Sequence, residues 1–313
     1  MSQSAAIQNM MFEKEESEKK HRFRLLIAWI AAAAFVTPFL VYGFDYYTTS
    51  WKDRPFSPKH MLLRPSGTVG VDLGMIGVLM FFIIFLYPLR KRWGWLGRQG
   101  NSRHWLDFHV VLGTAAPIVI ALHSSFKFGG IAGMAFWLMT AVTLSGFIGR
   151  YLYSQIPRSL NAAELTIKEI QDAEVQLRWN AEEKHEKIGT SLIDLFDLPT
   201  SAQVARTPIL AALCWMMWLD FKRPIQISWL RLRAAGFIAW VISLFGILQT
   251  HNPELEHAIS TARKQASLSK RILFLSRTKQ VFNLWHVIHR PFSYSFAILA
   301  IVHIVVALGM GYR

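Results

Sequence analysis

Four histidines share one spacing. His109 and His123 are 14 residues apart, and so are His289 and His303. At about 100° per residue, 14 residues return a helix to within about 40° of its starting face, about 21 Å further along. Each pair therefore faces one side of its helix at two levels. Two histidines that meet across a helical bundle can supply both axial ligands of a haem iron. Two such meetings, His109 with His289 and His123 with His303, would hold two haems. A zinc or copper site would gather its ligands at one level instead. Asp107 is the one carboxylate near the four, at the inner end, which argues against a di-iron carboxylate site and a proton relay. A single buried histidine is more often satisfied by polar neighbours. Four at equal spacing inside apolar segments are harder to dismiss, because an ionisable group in a membrane needs a partner or a function.

The elements that must carry them are apolar helices. The chain has 313 residues, 52% hydrophobic and 17% charged, with a net charge of +14 and a mean hydropathy of +0.27. Low charge with positive hydropathy excludes a disordered chain and argues against an ordinary soluble domain. Five runs approach the ~20 residues a spanning helix needs: Leu25 to Phe44, Val71 to Leu89, Trp105 to Phe126, Ile131 to Tyr153 and Val281 to Met310. The first is not a cleavable signal. Its leader carries mixed charge, and it runs into Tyr42, Phe44, Tyr46 and Tyr47, an interfacial aromatic belt. The expected fold is all-α, a membrane bundle of about five transmembrane helices, or seven if 208–250 crosses.

Lysines and arginines orient the bundle. The leader holds Lys14, Lys19, Lys20, Arg22 and Arg24, and the second inner loop holds Arg90, Lys91, Arg92, Arg98 and Arg103. Those ends are expected on the cytoplasmic side of a cell (inner) membrane. The basic excess is thus read as anchoring to lipid, not as nucleic-acid binding. The expected organisation is a leader (1–24), four transmembrane helices (25–156), a cytoplasmic or interfacial helical insertion (157–280) and a haem-ligating last helix (281–313). Within the insertion, Asn161 and Glu164 resemble a capping pair opening a helix to about Ile188. Asn252-Pro253 marks another start. The segment around Arg263, Lys264, Lys270 and Arg271 reads as a basic amphipathic helix suited to an anionic leaflet. Leu210 to Leu219 and Ala234 to Gln249 read as two interfacial or partly buried pieces.

The segments HWLDFHVVLGTAAPIVIALHSSF (104–126) and WHVIHRPFSYSFAILAIVHIVVAL (285–308) resemble the dihaem cytochrome b group, and most closely its ferric-reductase-like and cytochrome b membrane domains. The resemblance covers about half the chain and omits 157–280. It implies two b-type haems, each bis-histidine ligated. The single cysteine, Cys214, agrees with haem that is not covalently attached, and excludes an Fe–S cluster held by this chain alone. No strand–GxGxxG–helix unit is visible, so the resemblance implies partner subunits, a cytochrome or an Fe–S protein, with quinone as a further partner. Two other readings stay open: a ferric-reductase-like protein with a separate electron donor, and a non-redox scaffold or transporter.

Supporting residues follow from position. Gly113, Gly146 and Gly149 could admit a macrocycle or simply pack helices. Arg290 and Arg150 could meet haem propionates or anchor the inner face. His286 could contact a quinone, replace a ligand or face the interface, whereas His104 points about 140° away from His109. His21, His60, His185, His251 and His257 are expected to be solvated. Pro117 and Pro291 are expected to kink their helices.

Overall fold

A computed structural model describes residues 2–90, 92–156, 198–242 and 253–311. Among them there is no strand. In chain order the helices are α1 (Ser2–Thr48), α2 (His60–Leu63), α3 (Thr68–Arg90), α4 (Gly94–Gly97), α5 (Ser102–His123), α6 (Gly130–Gln155), α7 (Ser201–Arg206), α8 (Ile209–Ile242), α9 (Pro253–Leu273) and α10 (Leu275–Gly309). Among the described residues five stretches are long and apolar enough to cross a membrane: Glu16–Thr48, His60–Arg90, Ser102–His123, Gly130–Gln155 and Leu275–Gly309. They match the five apolar runs, and the chain is an all-α membrane bundle. The leader adds no break, so α1 continues through its charged residues. The helix expected from Asn161 lies outside the described residues, as do His185 and His251.

The chain divides into two compact units. The first comprises Met1–Ile148 and Ile288–Arg313, the second Gly149–Val287. In the first, α3 packs along α5 and α1 crosses the same helix. Val36, Leu73, Met80, Ala115, Ala116, Val119, Leu122 and Met139 form its core, with Phe296 of α10 against them. Small residues on α5 allow this close approach.

One end of this unit is closed by Arg54. Its guanidinium donates to the carbonyls of Thr49 (3.1 Å), Tyr47 (2.6 Å) and Ser125 (2.5 Å). Ser125 has a left-handed φ of 49°, a strained conformation for a residue with a side chain. Two bonds hold it there. Its hydroxyl donates to Leu63 O at 2.6 Å, and its amide donates to Leu122 O at 3.0 Å. The amide of Phe126 reaches back to Ala121 O (2.9 Å), so α5 ends in a Schellman-type turn. His123 sits in that last turn and is fixed by it.

The second unit holds one correction. The two pieces expected around 210–219 and 234–249 are not separate within the described residues. Ile209–Ile242 is one helix of 34 residues, continuous through Lys222, Arg223 and Pro224. Its core comprises Leu152, Val204, Ala212, Met216, Leu219, Phe274 and Val281.

Candidate functional site

The histidines of the first unit are placed by carbonyls that two prolines release. Pro88 on α3 has no N–H, so the carbonyl of Ile84, four residues earlier, lacks its helical donor. His109 Nδ1 supplies one at 3.1 Å. Pro117 on α5 releases the carbonyl of Gly113 in the same way, and Thr143 Oγ1 of α6 donates to it at 2.9 Å. The prolines thus tie α3 to α5 and α5 to α6. Pro117 was expected only as a kink; its larger effect is a cross-helix hydrogen bond.

His123 Nδ1 donates to Gly70 O of α3 at 2.7 Å. Gly74, one turn further on, gives its ring space: a Cβ there would stand 2.8 Å from the imidazole. His289 Nδ1 meets Ser145 Oγ at 2.7 Å, and that hydroxyl lies 2.8 Å from Val142 O. A serine has one proton to give. With that proton on Val142 it accepts from His289 Nδ1; with it on His289 the imidazole nitrogen is the acceptor. His109 and His123 thus carry a proton on Nδ1, fixed by a backbone carbonyl. That tautomer puts the lone pair on Nε2, as a metal-ligating histidine requires. His303 is exposed on α10, within electrostatic reach of His123.

The levels can be worked out from the contacts. Helices α5 and α6 run antiparallel, and Thr143 stands opposite Gly113. Ser145, two residues on, is level with about residue 111 of α5, which puts His289 within about one turn of His109 along the axis. His109 and His289 therefore share one level, and His123 and His303 share the other. A Cβ at Gly113 or Gly146 would meet nothing within 4 Å, so both glycines border open space. Imidazoles at two levels on facing helices are the donor type that bis-histidine haem iron takes. Among the described residues no three His, Cys, Asp or Glu side chains gather as a metal site.

Other expected residues fall elsewhere. Gly149 packs against Trp285, whose ring lies 2.2 Å from where a Cβ would stand, so its small size serves helix packing. Arg290 is exposed beside His289. His286 is half-buried, bonded to Phe282 O of its own helix at 3.0 Å, with its ring edge-on to Phe282 and Trp285. Neither shows a contact that assigns it a ligand.

His21 was expected to be solvated, and the structure overturns this. It is buried, and its Nε2 lies 2.9 Å from Asp107 Oδ2. The ring of His104 stacks on it at 3.6 Å, and His104 Nε2 lies 3.8 Å from Glu18. The cluster joins α1 to α5, two residues from His109. The sequence hid it because His21 lies among charged residues and its partner is 86 positions away. His60 is half-buried and bonded to Tyr46 Oη at 3.1 Å, which also departs from the solvated expectation.

The second unit holds a different polar cluster around Asp220. Tyr151 Oη donates to its Oδ2 at 2.7 Å, and Lys270 Nζ donates to its Oδ1. Arg223 Nη1 stands 3.9 Å away, while its Nη2 donates to Ala266 O at 2.8 Å. Burial, partly offset by Asp220, holds the Lys270 ammonium below the usual lysine range, and burial lowers Arg223 likewise. No reacting atom or ligand position is implied; the cluster ties α6, α8 and α9. No family model, curated protein or solved structure matches the chain, so the functional reading rests on this geometry.

Proposed function

We propose that this chain is a dihaem b-type cytochrome, the membrane subunit that carries electrons across the bilayer between a partner redox protein and the quinone pool. One observation carries the reading: two 14-residue histidine pairs on α5 and α10, with two imidazoles held as Nδ1–H tautomers by Ile84 and Gly70 and a third bonded through Nδ1 to Ser145. His109 and His289 would hold one haem, and His123 and His303 the other. Each haem would supply a one-electron centre that apolar helices lack. The chain's own part is to fix the ligands. Backbone carbonyls orient two imidazoles without adding charge, so the site stays compatible with an apolar bundle. Gly74 seats the His123 ring, and the Arg54–Ser125 contact holds the helix end on which it sits. Placement in the cell membrane, with the N-terminus cytoplasmic, follows from the Lys/Arg flanks.

The test is a reduced-minus-oxidised spectrum of the purified protein and of His303→Ala. The reading expects a b-type signal that falls by about half in the variant, with the His109–His289 centre retained. An unchanged signal would refute the ligand assignment. Adding quinol should reduce the wild type; failure to do so would remove quinone as the partner.

A further inference from the structure

Helix α8 buries the charged side chains Arg223 and Arg231, yet one of its faces exposes a row of large apolar side chains. Leu210, Met217, Trp218, Phe221, Ile225 and Trp229 are between 48% and 73% exposed. With Cys214, also exposed, they fall within an arc of about 120° and run for about 28 Å along the helix. The opposite side carries Ala212, Met216, Leu219, Ile227 and Leu230, all buried.

Helix α9 covers that buried side, antiparallel to α8. Arg231 Nη2 meets Glu256 at 2.6 Å, Arg223 donates to Ala266 O at 2.8 Å, and Lys270 donates to Asp220. The apolar stripe of α9, Ile259, Ala262 and Ala266, is buried within the unit. Arg263 and Ser260 are exposed. The basic helix suited by sequence to an anionic leaflet therefore spends its apolar face on α8. The hairpin has one greasy outer face, on α8, and one polar outer face, on α9.

We infer that α8 lies along the bilayer surface with its exposed stripe in lipid and α9 on the water side. An apolar face of this length is larger than soluble surfaces leave open. Asp220, Arg223 and Arg231 are paired inward. Lys222 and Arg233 stand along one edge of the stripe, Arg233 against the Trp229 ring at 5.6 Å, where a cation meets anionic headgroups. A crossing orientation would carry exposed Arg263 into hydrocarbon, where a charge is strongly disfavoured. Averaged hydropathy misses α8 because Asp220, Lys222, Arg223, Arg231 and Arg233 lower its mean. This inference does not depend on the redox reading.

The chain's one cysteine lies on the stripe and reports on it without mutation. The full-length protein, spin-labelled at Cys214 and reconstituted in phosphatidylethanolamine–phosphatidylglycerol vesicles, is expected to collide several-fold more with oxygen than with a water-soluble nickel chelate. Dominant nickel collisions would place the stripe in water and overturn the inference. Low rates for both would put a protein surface on it and do the same. A label at Trp229→Cys in a Cys214→Ser background should sit at a similar, shallow depth. A depth difference near 22 Å, the separation of the two positions along the axis, would mean that α8 crosses.

Discussion

The two units bury polar side chains by opposite means. Around His109, His123 and His289 the imidazoles are held by neutral oxygens, two of them backbone carbonyls. Around Asp220 the groups are charged and hold one another, with Lys270 and Arg223 sharing the carboxylate. The first arrangement orients each imidazole through one ring nitrogen and an uncharged oxygen. The second spends its donors on a partner inside the protein. A buried ion pair that satisfies itself is a structural tie; an imidazole oriented by an uncharged oxygen is the arrangement that metal-ligating histidines use.

The largest effect should come from breaking the charged tie. Asp220→Ala leaves Lys270 and Arg223 buried without their carboxylate. Removal of one partner of a buried pair costs about 3 kcal/mol or more. Thermal unfolding should show a clear loss of stability, while the b-type signal per folded chain stays unchanged. A variant as stable as the wild type would show that the cluster ties nothing.

Gly74→Ala reverses that pattern. The added Cβ would stand 2.8 Å from the His123 ring, and overpacking costs about 1–3 kcal/mol. The expected result is loss of the His123–His303 centre from the spectrum with the other centre kept. Equal loss of both would mean that the two levels are not independent.

Ser145→Ala should be milder. It removes the hydrogen-bond partner of His289 Nδ1. Losing such an outer hydrogen bond weakens metal binding by about 10–100-fold. Haem retention during dilution should fall at the His109–His289 centre alone, with the unfolding temperature little changed.

The smallest effect is a pH dependence. Burial holds Lys270 below its ordinary value of 10.5. The folded chain then binds fewer protons than the unfolded one between the lowered value and 10.5, so this group's contribution to stability rises with pH in that window. Lys270→Met should flatten this part of the stability profile.

The membrane helices were legible because an apolar run of about 20 residues has few other uses. The histidine spacing was legible because helical geometry alone converts it into two levels. What placed the histidines was less so. The acceptors at Ile84 and Gly70 are backbone atoms, which no side-chain pattern displays. Pro88 and Pro117 were the available signal, since each proline releases the carbonyl four residues before it. Continuity of α8 was hidden by Lys222-Arg223-Pro224, which reads as a break when the partners on α9 are unknown. His21 was misplaced for the same reason, because its surroundings in sequence are polar while its partner in space is Asp107.

The central claim is that the four histidines are haem ligands. Extracting the pigment from purified, full-length protein and counting it against chain concentration tests this most directly. The account predicts two non-covalently bound b-type haems per chain. Protein that folds and remains stable after expression with excess haem, yet carries none, would contradict it.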